Sequence, residues 1–292
     1  SIIRALGDSK TPFWFLLFST ILNIVLDLFC ILTLGWGVAG AAIATVFSQG
    51  LSALLCYIYM YRKFDILKTE PADRRFRGDL ARQLLYIGVP MGLQFSITAI
   101  GSIMLQSANN ALGTACVAAF TAAMRIKMFV MCPLDSLGMA MATYSGQNYG
   151  AGNHERIRRG TKDAFALSAA FSIVISLLVN LFAHPLMQIF VKASEMEVIA
   201  IGVQYLRLEG SFYLGIGWLF LLYGYYRAVK RAEMSVVLTV ISLGMRVALA
   251  YLFSATALGV AGIWIAIPIG WALADMTGLF FLRRAFRSQK PA

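Results

Sequence analysis

Asp27 stands inside an uninterrupted apolar stretch, where an ionised side chain costs about 2.5–3.5 kcal/mol if that stretch crosses a membrane. Asn23 lies four residues earlier, one helical turn away on the same face. Thr45 belongs to the next apolar stretch. Measured from a turn near residues 35–37 at 1.5 Å per residue, Asp27 and Thr45 both fall ~12 Å below it. A carboxylate, an amide and a hydroxyl at one depth offer oxygen ligands to a hard cation, or a place to hold a proton. The alternative is that Asn23 and Thr45 only bond helix backbones.

Further along, Arg125, Lys127, Arg207, Glu209, Arg246 and Asp275 also fall within apolar stretches. Helical rise puts Arg125 and Arg246 ~12 Å and Glu209 ~15 Å from one surface. The sequence predicts that Glu209 pairs with Arg246 or Arg125, in a charge network of Arg125, Glu209, Arg246 and Asp275. That pairing is either a switch that changes during a cycle or a permanent ion pair, since a lone buried charge is costly. Arg207 and Lys127 are expected to snorkel toward an interface. Gln94, Thr98, Trp218 and Tyr223 are candidates to line a substrate cavity, the two aromatics through their ring faces.

Enzyme chemistry has no foothold. There are two histidines, His154 and His184, and the four cysteines lack metal or disulfide spacing. The glycines of residues 146–152 follow no strand, so they are not a nucleotide fingerprint. No catalytic set, metal site or cofactor is expected; a coupling H+ or Na+ is the only ion implied.

The elements that must carry these residues are membrane helices. The chain is 59% hydrophobic and 13% charged, with a mean hydropathy of +0.73, whereas soluble domains carry about a quarter charged residues. Eight stretches reach spanning length: 13–34, 38–61, 84–107, 117–142, 163–184, 199–226, 234–254 and 261–282. Pro133 and Pro268 are expected to kink theirs. With residues 1–12 cytoplasmic, alternating segments place 20 basic residues inside and one, Lys192, outside. This is the positive-inside pattern. It assigns the net charge of +11 to the inner leaflet and makes nucleic acid unnecessary as a partner. The predicted location is the cell (inner) membrane, multi-pass, with the lipid bilayer and a small organic substrate as partners and a monomeric state.

Residues 1–64 resemble residues 224–286. Arg4-Ala5 matches Arg227-Ala228, Gly37-Val38-Ala39-Gly40 matches Gly259-Val260-Ala261-Gly262, and each copy ends in a basic patch, Arg62-Lys63 or Arg283-Arg284. Repeats of this length mark the two halves of transporters. The reading is an all-α polytopic protein with a parallel internal repeat. Residues 1–64 are the last two transmembrane helices of an N-lobe, 65–82 a cytoplasmic linker, and 83–292 a complete six-helix C-lobe. By symmetry roughly 150 residues and four helices would precede Ser1.

Four motifs narrow the class: Arg4-Ala5-Leu6-Gly7-Asp8-Ser9-Lys10-Thr11-Pro12, Asn23-Ile24-Val25-Leu26-Asp27, Gly37 to Thr45, and Gly146-Gln147-Asn148-Tyr149-Gly150-Ala151. In this order they resemble the fifth, sixth and eighth helix regions of the multidrug and toxic compound extrusion (MATE) family. The resemblance implies an antiporter that exports organic, often cationic, compounds as H+ or Na+ enters. It implies that Asn23, Asp27 and Thr45 line a cation site. At the repeat-equivalent positions stand Arg246, Ala250 and Ile267, so the second lobe lacks that site. After Pro90 come Gln94, Ser96 and Thr98, where some family members carry an acid. The alternatives are a lipid-linked sugar flippase, which would need a more cationic central cavity and which Arg125, Arg207 and Arg246 keep open, and a non-transporting scaffold.

Overall fold

The computed structural model describes residues 2–68, 76–110, 113–254, 256 and 259–288. Arg74, Arg75 and Lys290, counted above among the cytoplasmic charges, and part of the expected linker lie outside the described residues. The described residues are nearly all helical, without strands. This follows from the solvent: hydrocarbon offers no hydrogen-bond partner, so each backbone N–H and C=O must be satisfied within its own segment.

Two compact units divide the chain, residues 1–78 and 79–292. The first holds a short helix α1 (Ile2–Ala5) and two long ones, α2 (Lys10–Leu28) and α3 (Gly37–Lys63). A π-helical turn at Phe29–Thr33 extends α2. Gly35 and Gly37 then take positive φ, 66° and 54°, and reverse the chain into α3 where a Cβ would be strained. At the other end the Asp8 carboxylate accepts from the Thr11 backbone N–H at 3.0 Å and from the Thr11 hydroxyl at 2.7 Å. The Thr11 N–H holds the Asp8 carboxyl below the usual carboxylate range, the Thr11 hydroxyl and Lys63 helping. Lys63 also approaches Asp8 at 3.6 Å and pins α2 to the last turn of α3. Most large apolar side chains of this unit are exposed, Val38 at 89% and Leu32 at 76%, as surfaces made for lipid or further helices must be.

The second unit contains α4 (Gly78–Asn110), α5 (Thr114–Gly150), α6 (His154–Gln188), α7 (Met196–Gly210), α8 (Tyr213–Ala228), α9 (Glu233–Ser254) and α10 (Gly259–Ser288). Among the described residues, seven helices are long and apolar enough to cross a bilayer. The remaining expected span, 199–226, is α7 followed by α8. Helical dihedrals fail at Phe212 (φ −116°, ψ 19°). The break is supported from α6, where the Asn180 amide donates to the Ser211 hydroxyl at 3.3 Å and the Asn180 carbonyl accepts from Arg207 Nε at 3.3 Å. Arg207 is thus bonded to backbone rather than only snorkelling. In α6 itself the irregular residue is Phe182 (φ −104°, ψ 17°), three before Pro185. Helices α5 and α10 continue through Pro133 and Pro268.

Small residues let these helices approach. A Cβ on Gly138 of α5 would sit 2.7 Å from the Phe220 carbonyl oxygen of α8, and one on Gly224 would collide with the Gly138 carbonyl. Without a hydrophobic drive between helices in lipid, such close van der Waals packing is what holds them. Polar hydrogen bonds add to it: the buried Tyr226 hydroxyl donates to the Gly278 carbonyl at 2.7 Å and joins α8 to α10.

Candidate functional site

In the first unit, α2 carries Asn23 and Asp27 and α3 carries Thr45, all three half-buried. The Asn23 amide donates to Thr45 Oγ1 at 3.3 Å. The Thr45 hydroxyl spends its own proton on the Ala41 carbonyl at 2.9 Å. Its oxygen therefore faces Asn23 as an acceptor. One turn on, Asp27 Oδ1 is buried with no hydrogen-bond partner among the described residues. A buried carboxylate oxygen without a donor is costly. A proton on Asp27, or a hard cation shared with the Asn23 and Thr45 oxygens, would satisfy it. The hairpin turn at Gly35 and Gly37 sets this depth match, which is why arithmetic on the sequence found the pair.

In the second unit the charges arrange differently from expectation. Glu209 of α7 is fully buried, and its Oε1 pairs with Lys127 of α5, not with Arg246 or Arg125. Lys127 is itself mostly buried, 14% exposed, and its ammonium lies 5.4 Å from the centre of the Trp271 ring of α10. The ion pair and ring face together hold a cation that snorkelling was expected to carry to an interface. Arg246 of α9 has a buried Nε without a partner, and Asp275 of α10 a buried Oδ1 without one.

Arg125, Lys127 and Arg246 line a cavity of about 370 Å³. Ser102 and Gln106 of α4 and Thr121 of α5 supply neutral polar atoms; Phe120, Met124 and Ile267 supply apolar wall. Tyr205 closes one side, edge-on to Phe120 and to Trp264 at 5.3 Å each. Asp275 does not line this space. Nor do Gln94, Thr98, Trp218 and Tyr223, the residues expected from the sequence. Gln94 is buried with a free Oε1, and the Thr98 hydroxyl bonds back to the Gln94 carbonyl at 2.8 Å. Trp218 packs on Phe165 and donates to its carbonyl at 3.4 Å. Tyr223 is buried and accepts from the Thr239 hydroxyl at 3.0 Å. These two aromatics are packing residues because α8 is enclosed within the unit. Ser102, Gln106 and Thr121 were missed, and Lys127 was expected at an interface instead; the signal was polarity at i, i+4 spacing, Ser102 with Gln106 on α4 and Thr121 with Arg125 on α5.

A helical multi-pass protein with polar and charged groups set within its spans is a polytopic membrane protein by class. The MatE family model matches residues 89–252, and the chain belongs to that family, whose members are transporters and not enzymes. A probable multidrug resistance protein, YpnP, of Bacillus subtilis is 32% identical over 97% of this chain and 63% of its own length. Among solved structures, a MOP superfamily transporter from Pyrococcus furiosus, described by a binding pocket of reverse polarity that suggests a different function, superposes with a TM-score of 0.93. It is 27% identical, with 100% of this chain and 66% of that one covered. An outward-facing multidrug resistance MATE family transporter gives a TM-score of 0.91 at 27% identity, covering 98% and 64%. The chain thus spans just under two thirds of the length of these relatives. The flippase and scaffold alternatives are not favoured by these matches.

Proposed function

We propose that the protein is a secondary active antiporter of the cell inner membrane that exports small organic compounds as H+ or Na+ enters, with Asn23, Asp27 and Thr45 as the coupling site. The observation that carries this reading is the unpartnered, buried Asp27 oxygen one turn from the Asn23–Thr45 hydrogen bond. Such a carboxylate binds its cation from one side and releases it to the other, and its occupancy biases which opening is stable. The second unit contributes the organic-substrate side.

The test is gradient-driven export in everted vesicles carrying the protein. Asp27→Asn keeps shape and polarity but can neither take up a proton nor offer a formal charge to Na+. Export is expected to fall at least ten-fold, with Asp27→Glu retaining part of it. Collapsing the pH gradient and the sodium gradient separately identifies the ion. Wild-type export by Asp27→Asn would remove the site.

A further inference from the structure

The cavity in the second unit has the wrong electrostatics for the organic cations that the family resemblance leads one to expect. Three basic side chains line it and no acidic one does. Glu209 stands behind the wall, pairs with Lys127 and also attracts Arg246 without forming an ion pair with it. Arg125 and Arg246 make no ion pair among the described residues, and the Arg246 Nε is buried without an acceptor. A guanidinium inside a span is costly even before it is left unpaired. The groups around it offer no remedy: Ser102, Gln106 and Thr121 are neutral, and the Tyr205 hydroxyl points to the Met124 sulfur at 3.8 Å.

We propose that this cavity is a binding site for an organic anion, a carboxylate or phosphate ester with an apolar or aromatic body, held by Arg246 and Arg125. Guanidinium groups match carboxylate and phosphate oxygens in fork geometry. The rest of the wall, Phe120, Met124, Met128 and Ile267, suits an apolar body, and about 370 Å³ admits a small ring system. A second cavity of about 550 Å³ shares Thr121 and Arg125 with the first and continues to Lys192 and Glu195, between α6 and α7. Arg125 is exposed where the two meet, so it can hand an anion from the inner chamber toward Lys192. The inference rests on the transporter reading above and names the class of cargo.

The experiment is equilibrium binding of 2-naphthyl phosphate, followed by its fluorescence, to the protein in nanodiscs of phosphatidylcholine. The isosteric (2-naphthyl)trimethylammonium is the control of opposite charge. One saturable site for the phosphate is expected, with none for the ammonium and at least ten-fold weaker binding in Arg246→Gln and in Arg125→Gln. Arg246→Gln removes an attraction on the buried Glu209 carboxylate, so thermal unfolding of each variant is measured beside its binding; should Arg246→Gln fail to fold, the exposed Arg125→Gln decides. Competition by phosphatidylglycerol added to the disc identifies a lipid headgroup as the anion source, and its absence a free solute; both keep the site. No saturable binding of the phosphate, equal binding of the ammonium, or wild-type binding by the folded variants overturns the proposal. No ion gradient enters this assay, and Asp27→Asn is expected to bind the probe normally, so failure of the coupling site and failure of the anion site are read separately.

Discussion

Replacing Glu209 with Gln removes the one carboxylate that faces Lys127. Glu209 is fully buried and Lys127 is 14% exposed, so the stranded ammonium has little water to turn to. Breaking a buried ion pair from one side typically costs about 3–5 kcal/mol. The Trp271 face at 5.4 Å is present in both proteins and cancels from the difference. The net expectation is a loss of about 3–5 kcal/mol. For a unit of this size each kcal/mol moves the midpoint about 2–4 °C, so Glu209→Gln should lower it by roughly 6–20 °C. Lys127→Met should also destabilise, because it strands the carboxylate instead. The double variant Lys127→Met/Glu209→Gln should return to within about 1 kcal/mol of wild type, since neither charge is left alone. Thermal unfolding of the four proteins in one detergent completes the cycle. A Glu209→Gln protein as stable as wild type, or a double variant carrying the sum of both losses, would refute the pairing.

Two further outcomes follow from the packing and the caps. Gly224→Ala drives a Cβ into the Gly138 carbonyl; backbone cannot swing aside, so a loss of about 1–3 kcal/mol and a reduced monodisperse yield are expected, whereas Ala substitution at Gly244, where nothing lies within 4 Å, should fold normally. Asp8 has its carboxyl held low by the Thr11 N–H, so its support of the first turn of α2 is complete above the usual carboxylate value and is lost as pH falls through the lowered one. Hydrogen exchange of the peptide around residues 11–15, corrected for intrinsic rate, should show protection falling below about pH 4 in wild type; Asp8→Asn, which still caps, should be flat.

Much of this was legible in the sequence where the physics is one-dimensional. Hydropathy and the sidedness of the basic residues located the spans, because a bilayer imposes a length and a charge polarity on any chain crossing it. Asn23 and Thr45 met because helical rise and a glycine turn fix depth. What stayed hidden depended on rotation and packing. The run from 199 to 226 has no proline, so a hydropathy window reads one span; the break at Ser211–Phe212 depends on Asn180 of another helix. Lys127 was misjudged because its length permits snorkelling, and only the facing position of Glu209 decides otherwise. Trp218 and Tyr223 sit mid-span, and depth alone does not say whether a side chain faces a cavity or a neighbouring helix.

Where α5 and α8 cross at Gly138 and Gly224, no side chain separates the two backbones. Neither helix can roll or slide past the other there, so the pair acts as a splint for the half of the second unit that holds the α5–α6 turn. Deformation is left to the places where the ladder of hydrogen bonds is already interrupted, Phe182 in α6 and Ser211–Phe212 between α7 and α8. Stiffness within this unit is therefore graded, firm toward the α5–α6 turn and compliant toward the α6–α7 turn, so a solute held by Arg125 sits beside the more pliable end.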